Sequence, residues 1–214
     1  GNDNGNTASV NQSGELHDAN VLQNGYKNAA TVGQSGYDQF ADIDQVGDDN
    51  TSEVTQSGSQ NDVTVNQAGN ANEAYVTQSG WSNDVTVDQE GEGNTASVTQ
   101  ATSSVDYLND ADIYQTGNSN EVTVNQANTS LDIKNETVID QDGDEHDATV
   151  TQTGYKNDVE VYQAGYDNDA LVTQSGSYND VMIDQSGEGN DATVTQAAGG
   201  FDSRNDVDIY QGGD

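Results

Sequence analysis

One glutamine recurs along the chain with a spacing that few folds can accommodate. A glutamine two residues after a Val or Ile first occurs at Gln12 and then returns every eleven residues, except at three later steps of fifteen. The resulting eighteen units extend from Asn6 to Gln211, which is nearly the whole chain. A fixed internal repeat of this kind is typical of solenoids, in which each repeat covers the hydrophobic face of its neighbour.

The pattern within each unit predicts a β-strand followed by a turn. Most units read Asn-x-Ala/Val-x-Val/Ile-x-Gln and continue with x-Gly-x-x. Because alternate side chains of a strand share a face, the four recurrent residues lie together on one face and the variable residues on the other. We therefore predict a seven-residue strand with a constant inner face, and a four-residue turn in which Gly supplies a positive φ.

Neighbouring units differ in a way that sets a longer period. Ala in one unit alternates with Val in the next over most of the chain, as in Ala148 and Val159. The structural repeat is then 22 residues, and we predict an all-β fold, a β-solenoid of nine 22-residue coils (18 strands) forming two face-to-face parallel sheets. Stacked strands lie ~4.8 Å apart, so nine coils would measure about 43 Å. We expect residues 1–5 to form a short N-terminal segment and residues 6–213 to form the solenoid. The fifteen-residue steps, at residues 101–108, 127–134 and 197–204, are predicted to lie on one edge with Val105 touching Leu131.

Stacked coils bring equivalent side chains into register. A buried amide is costly unless its donors and acceptors are satisfied, and amide ladders between stacked strands satisfy them in cross-β structures. The predicted core ladders consist of Gln12, Gln23, Gln34, Gln45, Gln56, Gln67, Gln78, Gln89, Gln100, Gln115, Gln126, Gln141, Gln152, Gln163, Gln174, Gln185, Gln196 and Gln211, and of Asn6, Asn28, Asn50, Asn61, Asn72, Asn83, Asn94, Asn109, Asn120, Asn135, Asn157, Asn168, Asn179, Asn190 and Asn205.

Composition excludes several classes of function. Only 30% of the residues are hydrophobic and the formal net charge is -34, which alone would favour a disordered acidic chain. The sequence contains no Pro, however, as an all-strand protein requires, and no Cys for a disulfide framework. Four basic residues cannot neutralise a nucleic acid, and no apolar run is long enough for a membrane span. The chain opens at Gly1 without a visible signal peptide, so we expect a mature product from which any leader has been removed.

No arrangement of residues predicts catalysis, a cofactor or a bound metal. His17 and His146 occupy the Asn position of the repeat and are interpreted as ladder substitutes, because no converging partners are spaced for a metal or catalytic role. Two alternative functions remain, an ice-binding or a calcium-binding β-solenoid. The first rests on outward threonines in one rank, although Glu53, Tyr75 and Leu171 interrupt the flat array; the second rests on stacked aspartates. The rank is Thr55, Thr77, Thr99, Thr151, Thr173 and Thr195.

The repeat resembles the curlin repeat, Q-x-G-x-G-N-x-A-x-x-x-Q. Residues 89–100 and 185–196 fit this motif completely, and the other units fit it except at the second Gly. The resemblance implies a major curli subunit: a secreted structural protein, not an enzyme, that forms an extracellular amyloid fibre at the cell surface, builds biofilm matrix and mediates adhesion. It also implies a nucleator subunit and an outer-membrane secretion channel as partners. Two departures are the Asn that opens both strands of each coil, where the family often has one Ser, and the strongly acidic charge.

The two ends of the predicted solenoid are candidate sites of self-assembly. An uncapped solenoid leaves a row of unpaired N–H and C=O groups at each end. No proline, capping helix or charged inner residue blocks either end, so we predict a head-to-tail homopolymer. The residues predicted to form the polymerisation ends are Val10, Val21, Val194, Val207 and Ile209.

Overall fold

The protein is built from two parallel sheets. The computed structural model describes residues 4–100, 108–126, 134–197 and 204–213. The strands in this part of the chain are β1 (Thr7–Glu15), β2 (Asp18–Tyr26), β3 (Ala29–Tyr37), β4 (Phe40–Asp48), β5 (Thr51–Ser59), β6 (Asp62–Asn70), β7 (Glu73–Trp81), β8 (Asp84–Glu92), β9 (Thr95–Gln100), β10 (Asp110–Asn118), β11 (Glu121–Gln126), β12 (Glu136–Asp144), β13 (Asp147–Tyr155), β14 (Asp158–Tyr166), β15 (Asp169–Ser177), β16 (Asp180–Glu188), β17 (Asp191–Ala197) and β18 (Asp206–Gly212). The odd-numbered strands form one nine-stranded sheet and the even-numbered strands form the other. The predicted two-sheet β-solenoid is confirmed.

The predicted number of coils is slightly too high. The solenoid makes about eight turns rather than nine full coils. The difference arises at the ends, because nine strands in each sheet are joined by only eight parallel pairings. Every pairing keeps equivalent residues in register, as in Gln12 with Gln34 and Gln185 with Gln211.

The strands are longer than the seven residues predicted from Asn to Gln. Most begin just after the Asn and continue for nine residues, through the Gly. The corner that follows has two residues, and the first adopts the left-handed conformation, as at Leu16 with a φ of 61°. The Gly meets a second constraint besides its positive φ. A Cβ on Gly14 would overlap the carbonyl oxygen of Gly36 on the next coil, so the stacking of coils itself requires a residue without a side chain.

The core runs along the axis between the two sheets. It consists of the inner Ala, Val and Ile side chains, and residues such as Val32 and Ile43 are fully buried. The Gln and Asn side chains that flank them are also buried through the middle of the solenoid. The first strand differs, because β1 is exposed along its whole length. The core therefore continues into an end that nothing in the described residues covers.

The three long connections lie mostly outside the described residues. Each follows an odd-numbered strand (β9, β11 or β17) and precedes an even-numbered one. Because the odd-numbered strands are parallel, the described ends of these connections meet at one edge of the solenoid. The predicted contact between Val105 and Leu131 lies outside the described residues.

Candidate assembly site

The glutamine side chains form two continuous ladders, one in each sheet. In every pair of stacked coils, Nε2 of one glutamine donates to Oε1 of the next, at 2.8–3.0 Å. The ladder is unbroken where the chain spacing lengthens, as between Gln89 and Gln115 and between Gln100 and Gln126. The longer connections therefore leave the stacking register intact.

These hydrogen bonds all point in the same direction along the axis. A glutamine inside the stack donates once to the coil that follows and once to the backbone, as Gln34 does to Oε1 of Gln56 and to the carbonyl of Asp18. At the N-terminal end, no donor among the described residues reaches Oε1 of Gln12 or Gln23. At the C-terminal end, Gln196 and Gln211 donate only to the backbone, which leaves each amide one N–H to spare. One end offers acceptors and the other offers donors.

The asparagines secure the corners through the backbone. Oδ1 of Asn28 accepts the backbone N–H of Asn50 at 3.0 Å, while its Nδ2 donates to the carbonyl of Gly47 at 2.8 Å. Direct amide-to-amide bonds also form, for example from Asn83 to Asn61 at 3.1 Å. In both kinds of bond to an Asn oxygen, the higher-numbered coil donates. The asparagine rows therefore run opposite to the glutamine ladders.

The histidines and one glutamine stand in the asparagine rows. His146 is buried, and its backbone N–H donates to Oδ1 of Asn120 while its Nδ1 accepts the backbone N–H of Asn168. Burial lowers the pKa of His146, which favours the neutral ring that this geometry needs. His17 and Gln39 do not continue their row, since His17 Nδ1 and Gln39 Oε1 are buried without a hydrogen-bond partner in the described structure. The row on that edge is therefore incomplete near the N-terminal end.

The residues predicted to form the polymerisation ends differ in exposure. Val10, on β1, is 47% exposed, whereas Val21, Val207 and Ile209 are partly buried against the core. Val194 is already buried, with 5% of its surface exposed. The N-terminal end therefore presents apolar surface more openly than the C-terminal end does.

Carboxylates crowd the outer surface of the even-strand sheet. The first outward position forms a column that includes Asp84, Asp110, Glu136 and Asp158 in register. Burial, followed by repulsion from neighbouring carboxylates, raises the pKa of Asp110 and of Asp158 to about 6. The carboxylates of this face therefore repel one another at neutral pH.

Sequence reasoning missed a cation–aromatic cluster at the edge between the sheets. The rings of Tyr155 and Tyr178 pack edge to face with centroids 5.4 Å apart. Lys156 Nζ lies 5.1 Å from the Tyr155 centroid and 5.5 Å from the Tyr178 centroid, and the Arg204 guanidinium lies 5.7 Å from the Tyr178 centroid. The one sequence signal is that Lys156 and Arg204 occupy the same corner position of their units. Elsewhere Lys27 Nζ lies 5.1 Å from the Tyr26 centroid, so three of the four basic residues lie over aromatic rings.

Two absences hold for residues 4–100, 108–126, 134–197 and 204–213. Within those ranges, no three His, Cys, Asp or Glu side chains are grouped so that they could hold a metal ion. The same ranges contain no helix long and apolar enough to cross a membrane.

The fold defines a class of protein: a parallel β-solenoid whose cross-β interior is tied by amide ladders. The family model for the Curlin associated repeat matches this chain six times, over residues 18–47, 47–80, 80–105, 134–154, 156–187 and 165–197. These segments together cover more than half of the chain, and the chain therefore belongs to the curlin repeat family. That family consists of structural subunits of extracellular amyloid fibres and is not a family of enzymes. No curated protein matches the chain significantly.

Proposed function

We propose that this chain polymerises head to tail, through its terminal coils, into a curli-type amyloid fibre that builds biofilm matrix and mediates surface adhesion. A nucleator subunit and an outer-membrane secretion channel would be its partners. The observation that carries the proposal is the polarity of the glutamine ladders, which end in spare donors at one end and in free acceptors at the other.

Stacking one copy on another would complete both ladders. In the register of the solenoid, β1 of the next copy follows β17, and β2 follows β18. Gln196 and Gln211 would then donate to Gln12 and Gln23 of the next copy, while Asn190 and Asn205 would accept from its backbone. The joint would have the same hydrogen bonds as any pair of coils inside the solenoid.

Stacking would also remove apolar surface from water. Val10 is 47% exposed, and its counterpart Val32, one coil further, is fully buried. Burying a side chain of this size contributes about 1.5–3 kcal/mol. The exposed β1 is therefore a favourable surface for the last coil of another copy.

The proposal is tested by placing charge inside the joint. In the Val10→Asp/Val207→Asp variant, two carboxylates would enter the interface without partners, and we expect fibre elongation to stop while the circular dichroism of the middle coils persists. The matched control, Ser9→Asp/Tyr210→Asp, places the same charges on the same two strands but facing outward. Elongation is followed by an amyloid dye and by negative-stain microscopy. Growth of the inner variant at the wild-type rate would show that the terminal coils do not form the joint.

A further inference from the structure

The two outer faces of the solenoid carry very different charge. The nine even-numbered strands contain 22 acidic residues. The nine odd-numbered strands contain only seven, which are Glu15, Glu53, Glu73, Glu121, Asp147, Asp169 and Asp191. A single sequence repeat has therefore produced one strongly acidic face and one weakly acidic face.

The less acidic face is rich in threonine, and we call the outward side of the odd-strand sheet the threonine face. Its column nearest the glutamines places Thr55, Thr77 and Thr99 in direct register, followed by Asn125 and then Thr151. Its middle column consists mainly of Ser and Thr. From that middle column Tyr75 and Leu171 project, 36% and 45% exposed. The face thus combines small hydrogen-bonding side chains with two large apolar ones.

We propose that the threonine face docks onto the threonine face of a second copy of this chain, so that solenoids pair laterally with their acidic faces outward. Lateral pairing is a separate contact from head-to-tail growth. It rests on the proposed head-to-tail growth only where the pair is extended into a long fibre. Ordered ranks of short side chains on facing sheets interdigitate in cross-β assemblies.

Charge decides which faces can meet. Pairing two even-strand faces would bury carboxylates that already repel one another, and uncompensated buried charge is strongly unfavourable. Apolar residues on that face do not reduce this cost, because carboxylates flank them. Tyr114, for example, lies in register between Asp88 and Asp140. A mixed contact of one threonine face with one acidic face would bury the same carboxylates. The contact between two threonine faces encloses the fewest carboxylates, six on each copy against sixteen on the even-strand face. Five of the six lie in the first outward column, at the edge of the face, and only Glu53 lies in the middle column.

Charge also sets the relative direction of the two copies. A two-fold axis along the fibre places the first outward column of one copy opposite the threonine column of the other, so that Asp147 and Asp169 face hydroxyl groups. A two-fold axis across the fibre would instead place the first columns opposite each other, with carboxylate against carboxylate. The paired solenoids are therefore parallel, which preserves the direction of the ladders in both.

The area of the face suits a stable pair. Nine strands at ~4.8 Å give about 43 Å in one direction, and six residues at ~3.3 Å give about 20 Å in the other. The product is roughly 800 Å² per copy, which is the area that a standard protein–protein interface buries on each partner.

Mass per unit length of unstained fibres tests the pairing. One chain of 22.5 kDa per ~43 Å corresponds to about 5 kDa per nm for a single solenoid and about 10 kDa per nm for a pair. We expect a mass per length of about 10 kDa per nm for the wild type. The Thr123→Asp/Thr149→Asp variant, which adds charge to the threonine face, should give about 5 kDa per nm. The control Thr64→Asp/Thr86→Asp should stay near 10. Its two threonines are half-buried and outward, and each lies two residues after an acidic residue, as in the test variant, but on the even-strand sheet.

Each outcome decides the proposal. Wild-type fibres of about 5 kDa per nm would overturn lateral pairing and leave head-to-tail growth standing, and a test variant that stays near 10 would also overturn it. If circular dichroism shows that the test variant fails to fold, Leu171→Lys should give about 5 instead, since that side chain is exposed. If the wild type forms no fibres, head-to-tail growth is wrong, and sedimentation velocity then decides the pairing: a dimer of about 45 kDa supports it and a monomer of 22.5 kDa overturns it.

Discussion

The middle coils and the terminal coils have the same sequence pattern but different environments. Around Val87 every glutamine has both a donor below and an acceptor above, and the inner side chains are fully buried. At β1 the same pattern is exposed along its length, and the ladder lacks its donors. The same repeat thus forms a stable core in the middle and leaves unpaired amides and exposed apolar side chains at the ends, depending only on whether a neighbouring coil is present.

The sharpest test of this contrast is a charge placed at equivalent inner positions. Val87→Asp buries a carboxylate where the side chain is fully covered, and we expect a loss of several kcal/mol or complete unfolding. Val10→Asp, at a side chain that is 47% exposed, should cost less than about 1 kcal/mol in the isolated subunit. Chemical denaturation followed by circular dichroism measures both. Equal losses would mean that the first coil is as well covered as the middle.

Removing one ladder amide should have a smaller effect with the same asymmetry. Gln89→Ala leaves the donor of Gln67 and the acceptor of Gln115 buried and unpaired, which costs about 1–3 kcal/mol for each group. Gln12→Ala removes the donor to only one acceptor, Oε1 of Gln34, and water can replace that donor because β1 is exposed, so the subunit should lose less stability. Its effect should appear in fibre growth instead, because an acceptor of the joint is lost. Equal destabilisation by the two variants would contradict the difference between middle and end.

The smallest expected effect is on pH dependence, and it concerns the middle of the acidic column. The folded protein raises the pKa of Asp110 and of Asp158 to about 6, so it binds protons there more tightly than the unfolded chain does. Stability from this source is fully present below about pH 3.8 and is lost as the pH rises through 6. The Asp110→Asn/Asp158→Asn variant should therefore gain less stability than the wild type between pH 7 and pH 4.5. Burial of His146 acts in the opposite direction in both proteins, so their difference isolates the two aspartates. Identical pH profiles would contradict the raised pKa values of the two aspartates.

The sequence predicted the fold because the inner face repeats with so little variation. The spacing of Gln, Val and Asn predicted which side chains face inward, and the 22-residue period predicted that alternate units pair to form two sheets. The strand ends were predicted wrongly because the Gly was assigned to a turn, whereas Gly14 continues the strand and makes room for the next coil. The direction of the glutamine bonds could not be predicted, since an amide ladder can point either way in a sequence pattern. Nor could the cluster around Tyr178, which depends on side-chain conformations at a corner.

A disulfide across the joint is the most direct measurement of end-to-end stacking. The chain contains no Cys, so Ser9→Cys/Thr193→Cys introduces a single pair, on β1 and β17. Within one copy these positions are about 38 Å apart, but stacking of the next copy would bring them to ~4.8 Å, within the range of a disulfide. After mild oxidation of fibres, we expect a ladder of covalent multimers on a non-reducing gel. The control Ser9→Cys/Asp208→Cys, whose second cysteine lies on the opposite sheet, should remain mostly monomeric. Monomers alone from the first variant, or equal ladders from both, would contradict stacking of the first coil on the last.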